Sequence, residues 1–484
     1  MISFTTQLRA LAEARPDAPS ITIGDDTVTR AELLERAEDL AVDLRSRGVV
    51  TGDMVSVALP NGIDWFVATI ACWRLGATPQ PLNHKLPPAE LAAVVELADS
   101  KVVVGIDPAV LPDRACLPPG HRAPTRPEGT ELPDVISPAW KAPTSGGSTG
   151  RPKLIVSGDP AHLDPELPVG ILFGMAADGC LVMPGPLHHN GPVVWAVAAL
   201  LVGQHVVLFE RFDAAQTLAA IEEHQADTIY MVPTMMRRIW RLPEDVRTSY
   251  DLSSLKVLWH LAEPCPAWLK HAYIDWLGPE KIMELYGGTE AQVSTMISGT
   301  EWLAHQGSVG RILGGEARIL DPEGNEVPFG EEGEVWLRSS RDTPTYRYVG
   351  AEARSLEGGW ESLGDMGHMD EDGYLYLGDR SSDMVLIGGS NVYPAEVESA
   401  LDQHPAVRSS AVIGLPDEDV GNRLHAIVEA DPADVTVEDL LAFVADHLSP
   451  YKRPRTVEFV SEPLRDDAGK VRRTQLRAAR LPTA

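Results

Sequence analysis

Short apolar runs and helix-length amphipathic segments alternate twice along this chain, and that alternation narrows the fold more than any other feature. "TRAELLERAEDLAVDLRSRGV" sets apolar residues at helical spacing, with Gly48 as its stop. "DMVSVALP" reads as a buried strand ending at Pro60. "IDWFVATIACWRLGA" is a second apolar helix closed by Gly76, and "KVVVGI" is another short strand. A second series follows. "GCLVMP", "HVVLF", "ADTIYMVP" and "LKVLWHL" read as strands, with the helix "AAQTLAAIEEHQ" among them. Strands separated by helices predict parallel sheets covered by helices. Between the two series, residues 107–143 are rich in Pro and sparse in pattern, and read as a surface connection.

After "ELYGGTE" the texture changes. "GEARILDPEGNEVPFGEEGEVWLRS" has short strands separated by Gly, Pro and Asn, which predicts an antiparallel or barrel-like piece. From Ser381 onward the chain reads as a small α+β unit. Its helices are "AEVESALDQH", "VEDLLAFVADHL" and "RRTQLRAARL"; its strands are "SSAVIGL", "LHAIVEA" and "TVEFV". A chain of 484 residues is too long for one ordinary core. The expected fold is therefore α/β. A large N-terminal domain, residues 1–380, holds two helix-covered β-sheet subdomains and a small barrel-like β subdomain. A small α+β C-terminal domain, residues 381–484, follows.

Composition removes several classes of function. The net charge of -29 disfavours nucleic acid, which needs clustered Lys and Arg. Cys72, Cys116, Cys180 and Cys265 have neither pairing nor metal spacing and read as reduced buried thiols. The N-terminus "MISFTTQLRALAEARPDAPS" lacks the apolar core of a signal peptide. The longest apolar run, Pro192 to Gly203, is too short to span a bilayer and reads as a buried helix. A cytoplasmic protein with no membrane insertion is expected.

Several stretches carry chemistry. "TSGGSTGRPK", Thr144 to Lys153, joins glycines, hydroxyls and a lysine, so that backbone N–H groups can approach a phosphate. It is not the Walker pattern, and alone it also fits a plain surface loop. "YGGTE", Tyr286 to Glu290, offers an aromatic face, the Gly287–Gly288 turn, a hydroxyl and a carboxylate. Those are parts for stacking a base and holding a divalent cation beside phosphates. Asp365 and Arg380 are spaced to close over a ribose from two sides. Gly388 and Gly389 form a turn before a helix, and Lys470 follows a flexible Gly469.

Taken in this order, the segments resemble the adenylate-forming superfamily of acyl-CoA synthetases, luciferases and carrier-protein adenylation domains, with the acid-CoA ligases nearest in pattern. The resemblance covers almost the whole chain and includes the leader "GDMVSVALPNGIDWFVATIACWRLGATPQPLNHKL". It implies that a carboxylate attacks the α-phosphate of ATP, and that a thiol, usually of coenzyme A, then displaces AMP. Ser145, Gly146, Gly147, Ser148, Thr149, Gly150 and Lys153 match the grip on the β- and γ-phosphates. Thr289 matches the α-phosphate contact, and Glu290 the Mg²⁺ ligand. Tyr286 resembles the residue stacked on adenine. Ala262, Glu263 and Pro264 look like the strip lining its other face, and Asp365 with Arg380 the ribose pair. Lys470 matches the lysine that bridges carboxylate and α-phosphate, where it would offset charge as two anions meet. The alternative is a solvated lysine in a basic tail.

The same resemblance implies a small C-terminal domain that swings between half-reactions about Ser382, with Gly388 and Gly389 lining the thiol's approach. His189, in "PLHHNGP", falls at the mouth of the acyl pocket; a His satisfied by backbone carbonyls is the other reading. Met235, Trp259 and Val293 fall in regions that usually wall that pocket. Three stretches depart from the family pattern. Leu154 and Gly146-Gly147-Ser148 vary the phosphate loop, Ser382 varies the hinge, and Asp466 and Asp467 precede Lys470. The expected activity is ATP- and Mg²⁺-dependent adenylation of an acid, with His188-His189-Asn190 hinting at an aromatic or functionalised one, followed by transfer to coenzyme A. Carrier-protein loading, amide formation and activation of nitrite for diazotisation of an aryl amine keep the same motifs. A nucleotide-binding protein without turnover is the rival from another class. The expected partners are the acid, ATP and coenzyme A; a homodimer stays open.

Overall fold

A single strand, Ile282–Gly287, is the seam of the molecule. It runs parallel to Val257–Leu261 on one side (Leu258 opposite Ile282) and antiparallel to Ser294–Ser298 on the other (Met283 opposite Ser298). The computed structural model describes residues 1–484 apart from 133, 147–151, 165–168, 379–383, 388–389, 418–420, 467–468 and 482–484.

On the parallel side the sheet continues through Thr228–Met231, Cys180–Met183, His205–Leu208 and Pro19–Ile23. Cys180–Met183, Thr228–Met231 and Val257–Leu261 are buried along their whole length, as expected of parallel strands covered on both faces. The helix Asn190–Val202 covers part of this sheet and is apolar nearly all round, so the long apolar run is indeed a buried helix. A second parallel sheet orders Thr78–Pro81, Met54–Val57, Val102–Val104 and Cys116–Leu117. The helix Arg30–Ser46 begins with a capping box in which Thr29 and Glu32 satisfy each other's backbone N–H, worth about 1 kcal/mol.

On the antiparallel side, Ser294–Ser298, Ser308–Leu313, Tyr374–Leu377, Trp360–Met369, Gly333–Ser339 and Gly315–Leu320 extend the same large sheet. The antiparallel texture is present, but among the described residues these strands form an open path and not a closed barrel. Beyond Val385 the buried residues make a cluster of their own, with Val397, Leu401, Leu424 and Leu440 at its centre. It packs the helices Pro394–Leu401 and Val437–Ala445 against the sheet Ser409–Asp417, Gly421–Glu429 and Thr456–Val460.

The surface reading of 107–143 fails near its start, where Leu111, Cys116 and Leu117 are buried, and again at its far end. Ser137, Lys141 and Ala142 are buried, because this stretch leaves the surface to hydrogen-bond the strand Pro152–Ser157: Ser157 N–H donates to the Lys141 carbonyl at 3.0 Å. All four cysteines are unpaired thiols, three buried and Cys265 half-buried. No helix among the described residues is long and apolar enough to cross a membrane.

Candidate active site

The seam strand delivers the chain into Gly287, Gly288, Thr289 and Glu290. Gly288 has no room for a side chain: a β-carbon there would sit 2.5 Å from Leu363 Cδ1 and 2.9 Å from Glu290 Oε2. Glu290 is buried (6% exposed) and accepts a hydrogen bond from Tyr348 Oη at 2.5 Å. Its backbone carbonyl accepts from Thr345 Oγ1 at 2.8 Å. Lys153 Nζ lies 3.5 Å from Glu290 Oε1 and 3.9 Å from the Tyr348 ring centroid. Burial, reinforced by the bond to Glu290, pushes the Tyr348 hydroxyl well above its ordinary range, so it stays a proton donor.

Strand register makes this corner. Tyr346–Val349 runs antiparallel to Pro152–Ser157, with Tyr348 opposite Ile155, and Ser145 pairs with Lys153 in the adjoining strand Thr144–Gly146. Lys153 therefore stands at the foot of the predicted phosphate loop. Gly147, Ser148, Thr149 and Gly150 themselves lie outside the described residues, as do Arg380, Ser382, Gly388, Gly389 and Asp467. Leu154, the departure after the loop lysine, is fully buried in a strand. Mg²⁺ asks for one or two carboxylates, with substrate phosphates and water completing its shell. A lone buried carboxylate with a lysine nearby suits a cation that arrives with phosphate. No group of three or more His, Cys, Asp or Glu able to hold a metal occurs among the described residues.

The next corner joins Tyr286 and Asp365. Tyr286 Oη donates to Asp365 Oδ2 at 2.7 Å, across 79 residues of sequence. Ala262 and Pro264 are exposed, and Ala262 takes a left-handed φ of 75°. Between them, in the predicted adenine-lining strip, the side chain of Glu263 faces away from the surface. Its carboxylate turns inward and accepts from Thr234 N at 2.5 Å and Thr234 Oγ1 at 3.0 Å, at the start of the helix Pro233–Trp240. Burial raises its pKa, against the opposing pull of Arg465 and Arg237.

His189 caps the helix Asn190–Val202 by position alone, with no side-chain bond to the helix backbone. Its ring leans on His188, centroids 4.3 Å apart, and among the described residues no carbonyl accepts from it. The reading of His189 as a carbonyl-satisfied structural residue thus finds no partner here. Burial, followed by the nearby Lys470 cation, pulls its pKa down to about 3. Farther along the same helix Trp195 stacks on Phe173 at 4.2 Å, and Trp259 Nε1 donates to the Phe173 carbonyl at 2.9 Å. Met235 and Trp259 share this core, whereas Val293 packs with Ile319, Val335 and Leu375 under the antiparallel strands. Val293 is not brought to the Trp259 wall, because the turn after Gly287 carries it to the other side of the seam.

The C-terminal part docks on the rest of the chain through charge. Arg237 and Asp402 pair at 3.1 Å with side chains only 4% and 1% exposed. Arg465 lies 3.6 Å from Glu263 and 3.0 Å from Glu398, which Arg473 also meets at 2.8 Å. A tight turn then presents Lys470. Asp466 N–H donates to the Lys470 carbonyl at 3.0 Å, and Asp466 Oδ1 accepts from the Lys470 N–H at 2.9 Å. Asp466, one of the departures from the family pattern, is thus a turn-former. Gly469 is buried, its φ is 79°, and a β-carbon on it would fall 2.6 Å from Glu263 Cδ.

Sequence reasoning missed Lys141, Tyr348, Arg465 and Glu398. Lys141 is 6% exposed, and burial lowers its pKa to about 7. A buried lysine in a Pro-rich stretch leaves no periodic signal; a Trp-Lys pair immediately before the glycine-rich loop was the only trace.

The family model for AMP-binding enzyme matches residues 8–347, and that for AMP-binding enzyme C-terminal domain matches residues 396–470. A feruloyl-CoA synthase of Amycolatopsis sp is 33% identical over 482 residues, covering 96% of each chain. An anthranilate CoA ligase solved in complex with anthranoyl-AMP superposes with a TM-score of 0.82 at 26% identity, over 99% of this chain and 97% of its own. An amide bond synthetase from Marinactinospora thermotolerans gives a TM-score of 0.78 at 27% identity, over 99% of this chain and all of its own.

Proposed function

Because the chain belongs to the AMP-binding enzyme family, we propose that it activates a carboxylic acid with ATP and passes the acyl group to coenzyme A. In the first step a carboxylate oxygen bonds to the α-phosphorus as the bond to pyrophosphate breaks. In the second, a thiolate sulfur bonds to the acyl carbon and AMP departs. The observation that carries this reading is the position of Lys470. The turn that presents it packs Gly469 on Glu263, and its charge lowers the pKa of His189, which supports a cation near the residue assigned to the acyl group.

In this reading Lys153 and the loop from Ser145 hold the outer phosphates, Thr289 the α-phosphate, and Tyr286 with Asp365 and Arg380 the nucleoside. Glu290 holds Mg²⁺, which supplies charge neutralisation on the phosphates when bound. His189 borders the acyl group. Residues 1–380 form the catalytic body and 381–484 a mobile domain hinged near Ser382. The likeness to a feruloyl-CoA synthase and to an anthranilate CoA ligase favours a flat or ring-bearing acid. The same reading puts the enzyme in the cytoplasm, where ATP and coenzyme A are available, and allows a homodimer; fractionation and light scattering test these two points.

The test is pyrophosphate release across a panel of aromatic, alicyclic and fatty acids plus nitrite, each with and without coenzyme A or an amine. Acid-dependent release with a thioester product supports the proposal. Release that proceeds to product only with an amine would favour the second reading, amide formation, for which the likeness to the amide bond synthetase speaks. Silence with every acid would sink both.

A further inference from the structure

Lys141 is a buried ammonium without a carboxylate. Among the described residues no Asp or Glu lies within ion-pair distance of it, and Asp159 and Glu290 reach it only through their longer-range field. Nζ sits 4.4 Å from the ring centroid of Trp140 and donates to Asn190 Oδ1. Its backbone is held from both sides, the Trp140 N–H on the Asp159 carbonyl at 3.0 Å and the Lys141 carbonyl on the Ser157 N–H at 3.0 Å. Lys141 thus ties the strand that carries Lys153 to the first residue of the helix that follows His189.

The bond has a definite chemical sense. In its protonated form Lys141 can only donate, and the oxygen of the Asn190 carboxamide faces it, which turns the NH₂ away. That NH₂ has no acceptor among the described residues, and Asn190 is half-buried beside His189. A buried cation lacking a counter-anion is costly until an anion arrives. Two anions visit such a site, the acid's carboxylate and the nucleotide's phosphates. Asn190 follows His189 directly in the chain, and that adjacency favours the first, although Lys141 also feels the charge of Glu290.

We propose that Asn190 binds the carboxylate oxygen of the acid substrate through its NH₂, and that Lys141 is a positioning residue that fixes this carboxamide in the donating orientation. The inference rests on the reading of the chain as an acid-adenylating enzyme.

The experiment compares wild type with Lys141→Met, Lys141→Gln, Asn190→Ala and the double variant Lys141→Met/Asn190→Ala, using the best acid of the panel. Pyrophosphate release gives KM for acid and for ATP, and thermal melting reports the fold. Lys141→Met and Asn190→Ala should each raise KM for the acid about tenfold, within the range of a lost hydrogen bond to a charged group. KM for ATP should stay within about twofold, and the double variant should add little to either single, as coupled residues do. Lys141→Gln, which keeps a donor, should recover part of the loss. If the variants melt early and lose kcat with both KM values moved together, Lys141 is merely structural and the proposal falls. A rise in KM for ATP alone would assign Asn190 to phosphate and overturn it. Additive losses would also overturn it, since the two residues would then act independently. A wild type that releases no pyrophosphate with any acid defeats the underlying reading, and this inference with it. An active wild type with an unmoved acid KM defeats this inference alone.

Discussion

The α-carbon of Gly469 rests against the carboxylate of Glu263, with no space between them for even a methyl group. One residue lies in the C-terminal turn that presents Lys470; the other follows a left-handed Ala262 at the end of the strand Val257–Leu261. Gly469→Ala must bear both this overlap and a left-handed backbone, the latter about 1–2 kcal/mol. Adenylate formation should fall about tenfold or more, and thioester formation from a supplied acyl-adenylate should hold. Single-turnover assays of the two half-reactions check this; equal losses in both would mean that the contact serves the fold alone.

Lys470→Ala tests the cation itself. Removal of one preorganised charge at a reacting centre costs about 10²–10³ in rate. That loss should appear in pyrophosphate release and be nearly absent when acyl-adenylate is supplied. The side chain is exposed on a turn closed by Asp466, so the melting temperature should move little, and calorimetric melting provides the control.

Glu290→Gln replaces a charged oxygen by a neutral one while keeping an acceptor for Tyr348 Oη. The expected pattern is a raised Mg²⁺ requirement and a lower maximal rate, with only a modest change in ATP affinity. Tyr286 and Asp365, which hold each other, are untouched. Mg²⁺ titration of pyrophosphate release, with calorimetry for ATP, separates the two effects. Normal turnover at an unshifted Mg²⁺ optimum would remove Glu290 from the metal's shell.

His189 should be invisible in the pH–rate profile. With its pKa lowered from 6.5 to about 3 by burial, it is neutral throughout pH 5–9. His189→Phe should therefore alter acid selectivity and leave the profile's shape unchanged. The sign for stability is the reverse of a salt-bridged histidine. The unfolded chain takes up the proton first, so this site's share of stability is whole above pH 6.5 and drains as pH falls toward 3. Chemical denaturation at pH 7 and pH 5 should show His189→Phe losing less stability on acidification than wild type; an equal or greater loss would contradict the burial of a neutral ring.

What could be read from sequence was what lies contiguous in it. The strands and helices of both alternating series, the Tyr286–Glu290 turn and Lys153 each carry their signal within a few residues. Their partners do not. Tyr348 reaches Glu290 across 58 residues and Lys141 reaches Asn190 across 49, and both meetings depend on strand register, which no local pattern specifies. Glu263 adds a side-chain contact that the motif did not announce. Its neighbours Ala262 and Pro264 stay at the surface as a lining strip requires, but the middle residue of an exposed strip was free to turn inward, and Thr234 with Arg465 gave it reason to do so. The antiparallel strands after Gly287 were legible as strands, yet whether their ends close a barrel depends on pairings tens of residues apart.

If residues 381–484 swing as proposed, the buried Arg237–Asp402 pair makes the joint between the two parts of the chain a one-way reporter of ionic strength. Once water has left, dissolved ions cannot reach the pair to screen it. Before contact, the two side chains face each other through electrolyte and their attraction is screened. Added salt should thus slow closing and leave opening almost unchanged. If closing limits acid activation, the rate of that step should decline from low to physiological salt while the dwell time of the closed form stays constant. Single-molecule distance measurements across the joint would show the asymmetry, and a closed dwell that shortens with salt would mean that the pair is wetter than its geometry implies.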